Sequence, residues 1–158
     1  MPDRPAPGWE GKVCRFHHKS VDPLSDSGAE KAGGRFNRAG RYGALYASMD
    51  RKTAEAEVEY RLGMPASSLK DFRATAIAVK LGAILDLTDP NVQKEMGIDS
   101  SEITSDKPAD KEKLLKIADD ARSQDYEAIL AYSARDPRGK NLIIFLDKLN
   151  KSSSIRVV

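Results

Sequence analysis

The stretch Gly33-Gly34-Arg35-Phe36-Asn37 combines paired glycines with a cation, an aromatic ring and an amide. Glycine lets a ligand approach the backbone closely, because it carries no side chain. Further along, Tyr46 ends a short apolar run, and Glu57 lies on a predicted helix. A cation, a π-face and a carboxylate this close in sequence indicate a site for an anionic, aromatic ligand, and we expect the rest of the chain to be arranged around it.

The composition limits the size of the protein and the kinds of partner it can attract. A chain of 158 residues is long enough for one domain with a proper core. Its 26 basic and 24 acidic residues nearly cancel, leaving a net charge of +2. No strong overall field therefore favours nucleic acid or an anionic membrane, and we expect neither as a direct partner. Any binding of phosphate must be local.

Cysteine usage and hydropathy indicate the compartment. The single cysteine, Cys14, cannot form an internal disulfide, and the first residues lack the apolar core of a signal peptide. No apolar run approaches the roughly eighteen residues of a spanning helix. We therefore expect a soluble, cytoplasmic protein. We also expect no metal, because His17, His18 and one cysteine fall short of a ligand set.

We expect a single domain over residues 1–158, built from both strands and helices (α+β), with the proline- and glycine-rich residues 1–11 as an extended lead-in. Strands are predicted over Val13–His17, Ala44–Ser48, Ala74–Leu81, Ala83–Leu87, Ala128–Tyr132 and Asn141–Leu146, with an edge strand near Ile155–Val157. Helices are predicted over Arg51–Leu62, Pro90–Met96 and Lys111–Ser123, and irregular loops over Ser20–Ala32 and Gly97–Asp110.

The helix predicted over Arg51–Leu62 directs one glutamate toward the protein. Ala54, Val58 and Leu62 repeat every four residues and define its buried stripe. At about 100° per residue, Glu57 lies about 60° from Ala54, whereas the neighbouring glutamates point well away from the stripe. Glu57 is therefore the glutamate that we expect to face inward.

Several short motifs follow one another along the chain. They are Arg15-Phe16-His17-His18, Asp22-Pro23-Leu24-Ser25, Gly28-Ala29, Gly33-Gly34-Arg35-Phe36-Asn37, Gly40, Leu45-Tyr46-Ala47-Ser48, Ala54, Glu57, Ser133-Ala134-Arg135-Asp136-Pro137, Gly139 and Asn141. Their succession, from about Val13 to Phe145, resembles the RES family of bacterial toxins, named for an arginine, a glutamate and a serine. The basic turn Arg38–Arg41 and the long polar loop before Lys111 depart from the family pattern.

The resemblance implies a fold, an activity and a partner. The fold would be ADP-ribosyltransferase-like, a split β-sandwich with surrounding helices. The activity would be that of a toxin that consumes NAD, neutralised by an Xre-type antitoxin protein. Residue by residue, the family's arginine falls on Arg35, its tyrosine on Tyr46, its glutamate on Glu57 and its serine on Ser133.

The chemistry of NAD cleavage suits these residue types. The bond between ribose and nicotinamide breaks through an oxocarbenium-like state, and nicotinamide leaves as a neutral molecule, so no general acid is needed. One carboxylate, Glu57, suffices to stabilise the developing positive charge. The planar fork of Arg35 suits the pyrophosphate. Tyr46 can lie against the nicotinamide, and Ser133 can hydrogen-bond the substrate.

Three further residues are expected at the same ligand. Phe36 and Asn37 follow Arg35 directly and are predicted to contact the NAD, and His17 is predicted at the rim of its pocket. Each site residue also has a simpler interpretation. Arg35 can be a turn residue with a surface ion pair, and Glu57 can pair with Arg61 one helical turn away. Tyr46, Ser133 and His17 can likewise be purely structural.

Three functions from different classes remain open on the sequence. The first is degradation of NAD by a glycohydrolase or phosphorylase, with water or inorganic phosphate attacking the ribose. The second is mono-ADP-ribosylation of a host protein by the same residues. The third is a binding module without catalysis, which would tolerate neutral replacements of Arg35 and Glu57. No second carboxylate, histidine or lysine is placed to activate a protein side chain, which favours the small acceptors water and phosphate.

Overall fold

The computed structural model describes residues Met1–Val158 and shows an α+β fold. Its strands are β1 (Trp9–His18), β2 (Leu45–Ser48), β3 (Phe72–Leu81), β4 (Ile84–Asp86), β5 (Ala128–Tyr132), β6 (Lys140–Ile144) and β7 (Ser154–Val157). Its helices are α1 (Ser27–Ala32), α2 (Arg51–Leu62), α3 (Pro90–Met96), α4 (Ser100–Ile103) and α5 (Pro108–Ser123). None of these helices has the length and hydropathy needed to cross a membrane.

The seven strands form a sheet that is nearly divided in two. Their order is β4-β5-β6-β2-β1-β3-β7. β1 pairs with β3 along its whole length, from Trp9 opposite Leu81 to His18 opposite Phe72. In contrast, β1 meets β2 through a single residue pair, Cys14 opposite Ser48. The sheet therefore consists of a half β4-β5-β6-β2 and a half β1-β3-β7 joined at one point.

Two large clusters of apolar side chains bury the two faces of the four-stranded half, β4-β5-β6-β2. Alternation along β5 distributes its residues between them: Ile129 faces the cluster that includes Leu114 of α5, whereas Leu130 faces the other. That second cluster also contains Val13 of β1 and Ile77 of β3, and no residue of an α-helix. The two halves of the sheet therefore pack against each other, as expected for a split β-sandwich.

Helix α2 has the predicted limits. The side chain of Asp50 accepts a hydrogen bond from the amide of Thr53 at 2.8 Å, and Gly63 ends the helix in the left-handed region at φ 67°. The predicted buried stripe is wrong in its last member, because Leu62 is 42% exposed whereas Val58 is 6% exposed. The helix packs on β1 through Ala54 and Val58 and leaves its C-terminal end in solvent.

The predictions for the lead-in and for the two loops are wrong. β1 begins at Trp9, inside the predicted lead-in, because Trp9 pairs with Leu81. The predicted loop 20–32 contains α1, which buries no residue and so gives no apolar period. The predicted loop 97–110 contains α4 and the first turn of α5. α4 is a single turn held by a reciprocal cap between Asp99 and Glu102, too short for a periodic signal.

Candidate active site

Glu57 projects from the middle of α2 toward the ends of two strands. Its Oε2 accepts a hydrogen bond from the hydroxyl of Ser133 at 2.5 Å and another from Nδ2 of Asn141 at 2.7 Å. The side chain does not pair with Arg61, so the simpler interpretation of Glu57 as a helix-surface residue does not hold. Its other oxygen, Oε1, makes no hydrogen bond to the protein and is not buried. Glu57 is thus fixed by one oxygen and open to a ligand at the other.

Ser133 uses its hydroxyl fully within the protein. It donates to Glu57 and accepts hydrogen bonds from the amides of Arg135 and Asp136, both at 3.1 Å. Asp136 in turn accepts a hydrogen bond from the hydroxyl of Thr53 at 2.7 Å, which ties the turn to the start of α2. A hydroxyl that serves three partners holds Glu57 in place and is not free to act as a nucleophile.

Asn141 is a member of this site to which sequence reasoning gave no role. Its Oδ1 accepts a hydrogen bond from the hydroxyl of Ser48 at 2.7 Å, which fixes the amide with Nδ2 pointing at Glu57. Asn141 and Ser48 are directly paired residues of β6 and β2, so their side chains share one face of the sheet. The signal in the sequence was its place in the motif Gly139-x-Asn141 after Ser133.

Arg35 lies under the connection between α4 and α5. Its Nη1 donates to the carbonyl of Ser105 at 2.5 Å, and its Nη2 donates to Oδ1 of Asp106 at 2.8 Å. The same carboxylate binds both terminal nitrogens of Arg135, each at 2.8 Å. Hydrogen bonds from Arg135 and Arg35 hold the pKa of Asp106 well below its usual range. Arg35 is thereby linked to the turn that carries Ser133.

Tyr46 connects the site to the glycine-arginine stretch. Its hydroxyl accepts a hydrogen bond from the amide of Phe36 at 2.9 Å and donates one to Oδ1 of Asn37 at 2.8 Å. Burial raises the pKa of this hydroxyl. The amide of Phe36 and the charge of Arg35 lower this pKa, and the charge of Glu57 raises it further. Tyr46 therefore stays neutral at physiological pH and lies within electrostatic range of both charged site residues.

Phe36 and Asn37 serve the structure of the turn in which they lie. Phe36 is 2% exposed and belongs to the cluster under α5. Asn37 is 1% exposed, and its Nδ2 donates to the carbonyls of Ala29 and Tyr42 at 2.8 and 3.1 Å. Both side chains face the protein interior, and both residues hold the hydroxyl of Tyr46.

The glycine pair Gly33-Gly34 leaves room for the side chain of Tyr46. A Cβ on Gly34 would collide with the hydroxyl end of Tyr46 and with Oδ1 of Asn37, and Gly33 adopts a positive φ of 75°. The sequence predicted that a ligand approaches the glycine backbone closely. In the structure, the group that lies against this backbone is the side chain of Tyr46.

The structure does not bring His17 together with Glu57. Along β1, Phe16 packs against Val58 of α2, so the alternation of side chains turns His17 away from that helix. The ring nitrogens of His17 bind the hydroxyl of Thr75 at 2.6 Å and the carbonyl of His18 at 2.9 Å. Both polar atoms of the imidazole thus have partners within the protein.

The four arginines that the sequence offered as a cluster separate in the fold. Arg38 binds Asp119 and Glu112 of α5 at 2.8 and 2.9 Å. Arg41 and Arg138 are exposed. Arg135 is the member of this set that joins Arg35, through Asp106.

Known proteins resemble this chain in sequence. The sequence matches the RES domain over residues 12–157. The chain belongs to the RES domain family. It is 30% identical over 104 residues to the NAD(+) phosphorylase MbcT of Mycobacterium tuberculosis and to that of Mycobacterium bovis. The match covers 62% of this chain and 55% of each relative, so the chain spans about half the length of the curated relatives it matches.

The fold of this RES domain also occurs in a solved structure. The crystal structure of the M. tuberculosis MbcT-MbcA toxin-antitoxin complex matches it with a TM-score of 0.79 at 19% identity. The match covers 97% of this chain and 84% of that chain. The α+β architecture with its divided sheet is therefore a fold already known from that complex.

The residues that name the RES family meet in one region of this chain. Glu57 and Ser133 are in direct contact, and Arg35 joins them through Asp106 and Arg135. These contacts place a fixed carboxylate with one free oxygen near two guanidinium groups. Such a constellation can stabilise a cationic centre at one end of a ligand and bind an anionic group at the other.

Proposed function

We propose that this RES domain cleaves NAD at the bond between nicotinamide and ribose. The observation that carries the proposal is the division of the Glu57 carboxylate, one oxygen held by Ser133 and Asn141 and the other accessible. The free oxygen would accept a hydrogen bond from a ribose hydroxyl and stabilise the positive charge that develops on the ring. Because the carboxylate is already oriented, little reorganisation is needed during the reaction.

The reaction needs no acid and no covalent intermediate. The bond between C1 of the ribose and the pyridinium nitrogen breaks, and its electron pair neutralises the nicotinamide. An oxygen of the acceptor then bonds to C1. Inorganic phosphate, as an anion, attacks directly and gives a ribosyl phosphate, whereas water must release a proton to solvent. The name of the MbcT relatives, NAD(+) phosphorylase, supports phosphate as the acceptor.

The remaining site residues take supporting roles in this proposal. Arg35 would bind the pyrophosphate with its planar fork. Tyr46, held by Phe36 and Asn37, would lie against the nicotinamide ring. His17 has no role in this proposal, since its ring is turned away from α2 and binds Thr75. The proposed reaction uses no metal.

A cell that makes such an enzyme needs a partner to restrain it. We propose that the domain is the toxin of a toxin-antitoxin pair, that it acts on the cytoplasmic NAD pool, and that an antitoxin protein of the Xre type covers the site. The similarity of the fold to MbcT in the MbcT-MbcA toxin-antitoxin complex supports the existence of such a partner.

Transfer of ADP-ribose to a host protein is the second candidate, and the surface beside the site favours it. A shallow, open groove runs along the C-terminal end of α2 past Tyr60 and Met64 to Arg135. Tyr60 and Met64 are 61% and 45% exposed. A protein side chain could reach the ribose from this groove.

One experiment separates the two candidates. Purified protein is incubated with NAD labelled in the ADP-ribose, with and without phosphate and with and without cell lysate. We expect free nicotinamide from protein and NAD alone, and label in a phosphorylated ribose product when phosphate is present. Nicotinamide release that requires lysate, with label on one lysate protein, would instead establish ADP-ribosyl transfer.

A further inference from the structure

The carboxylate of Asp106 is surrounded by cations. Arg135 holds both of its oxygens at 2.8 Å, Arg35 holds Oδ1 at 2.8 Å, and Nζ of Lys111 lies 3.9 Å from Oδ1. Asp106 belongs to the short connection between α4 and α5, residues 104–107, which forms neither helix nor strand. A single surface carboxylate thus lies among three positive charges.

The cations are fixed more firmly than the carboxylate. The side chains of Arg35 and Arg135 are 16% and 15% exposed, whereas that of Asp106 is 45% exposed. The guanidinium of Arg135 also lies 3.3 Å from the centroid of the Tyr60 ring, which supports its plane. Asp106 therefore lies at the open end of a site whose walls are two oriented guanidinium groups.

The geometry of this site suits a phosphate group as well as it suits a carboxylate. Guanidinium groups bind both through two parallel hydrogen bonds, and a diphosphate offers more oxygens and more charge than one carboxylate. The neutral carbonyl of Ser105 is the other strong acceptor of Arg35, and it lies on the same connection. When residues 104–107 move, Arg135 loses both of its side-chain hydrogen bonds, and Arg35 keeps only a long one, to the carbonyl of Ile103 at 3.4 Å. Both guanidinium groups can then bind an external anion.

We propose that Arg35 and Arg135 together form the diphosphate-binding site of this protein, and that Asp106 occupies this site until the ligand displaces it. The proposal rests on the proposed function in one respect, since that function assigns the pyrophosphate of NAD to Arg35. It adds Arg135 as the second cation and Asp106 as a built-in competitor. A competitor inside the protein weakens the apparent affinity by the fraction of molecules in which the site is free.

Inorganic pyrophosphate tests the site without any NAD chemistry. Calorimetric titration would compare the unaltered protein with Asp106→Asn and with the control Asp120→Asn. Asp120 is an exposed residue of α5 that makes no side-chain hydrogen bond, so its replacement changes the net charge equally. We expect Asp106→Asn to bind pyrophosphate about tenfold more tightly than the unaltered protein, and Asp120→Asn to bind like it. Equal affinity of all three folded proteins would overturn the proposal.

Two further measurements make the result specific. Adding Arg135→Gln to Asp106→Asn should abolish the gain, and a gain that persists would remove Arg135 from the site. In the unaltered protein, saturating pyrophosphate should raise the hydrogen-exchange rate of the backbone amides of residues 104–107. This measurement needs no variant, so it does not depend on whether a variant folds. Unchanged exchange there would contradict displacement of Asp106. NAD turnover is measured separately, so inactive protein that still shows the pyrophosphate effects would refute the proposed function alone.

Discussion

The two carboxylate oxygens of Glu57 lie in different environments. Ser133 and Asn141 both donate to Oε2, and neither reaches Oε1. A carboxylate bound in this way keeps its orientation and still presents a charged oxygen to a ligand. The sequence predicted that Glu57 faces inward from its angle on the helix, and the structure confirms this direction. It could not predict Asn141 as a partner, because that contact joins residues 84 positions apart.

Replacing Glu57 by glutamine should abolish activity and preserve the fold. The glutamine oxygen can still accept from Ser133 and Asn141, but no charge remains to stabilise the oxocarbenium-like state. We expect NAD turnover to fall by about a hundredfold or more, with an unchanged circular dichroism spectrum. Glu55→Gln, on the same helix and paired only with Arg51, is the matched control and should stay active. Full turnover by folded Glu57→Gln protein would exclude this residue from the mechanism.

Arg35 should not be replaceable by lysine. A lysine keeps the charge but has a single nitrogen, so it cannot reproduce the planar fork that binds a diphosphate at two points. We expect Arg35→Lys to raise the KM for NAD by about tenfold, the effect of losing one charge-assisted hydrogen bond. Arg38→Lys, at a residue that binds Asp119 of α5, is the control. If Arg35→Lys and the unaltered protein show equal kinetics, Arg35 has only a structural role.

At the scale of elements, the sequence correctly predicted the helix ends that are fixed by neighbouring residues. Asp50 caps α2 and Gly63 ends it, and Asp89 with Pro90 begins α3, all as their residue types indicate. α4 was missed because one helical turn has no period to detect. That omission matters for function, since the connection after α4 is the segment that holds Arg35.

The most deeply buried carboxylate outside the site is a structural one. Glu127, 1% exposed, precedes β5 and accepts hydrogen bonds from the amides of Gly82 and Ala83 at 2.7 and 2.8 Å. It also binds the amide of Asn150 and the hydroxyl of Ser153. Burial alone would raise the pKa of Glu127, but these hydrogen bonds outweigh it and lower the pKa. Glu127 thus joins the turn between β3 and β4 to the segment that leads into β7.

Glu127→Gln should lower the free energy of unfolding and leave the rate of NAD turnover of the folded protein unchanged. The glutamine would turn an amide donor toward groups that are themselves donors, at a cost of about 1–3 kcal/mol in free energy of unfolding. Chemical denaturation measures this, with exposed Glu10→Gln as the control. Because folding lowers the pKa of Glu127, its contribution is complete above about pH 4.5 and is lost as the pH falls further. A variant as stable as the unaltered protein at pH 7 would contradict this role.

At the scale of the whole molecule, the divided sheet determines where the site lies. β1 and β2 meet only at Cys14 and Ser48, and Ser48 holds Asn141. The contacts that complete the site join distant parts of the chain, such as Arg35 with Asp106, 71 positions later. A motif can predict that residues belong together, but it cannot predict which side chains are open to the surface and which, like those of Phe36 and Asn37, are buried.

A protein that drains NAD should stop the growth of its host. We expect that expression of the unmodified chain alone arrests growth of a bacterial culture and lowers its NAD content. Co-expression of a protein that covers the site at Arg35 and Glu57 should restore both. Expression of Glu57→Gln controls for the burden of making the protein. Unimpeded growth of cells that contain the folded, unmodified protein would count against the toxin and against its partner.

The central claim is that this chain breaks the bond between nicotinamide and ribose without needing a macromolecular acceptor. The most direct test is to incubate purified protein with NAD and inorganic phosphate and to follow free nicotinamide by chromatography. The account predicts nicotinamide release with an equal amount of ribosyl phosphate product, and loss of both in Glu57→Gln. NAD that remains intact under these conditions, with protein of native circular dichroism, would contradict the account.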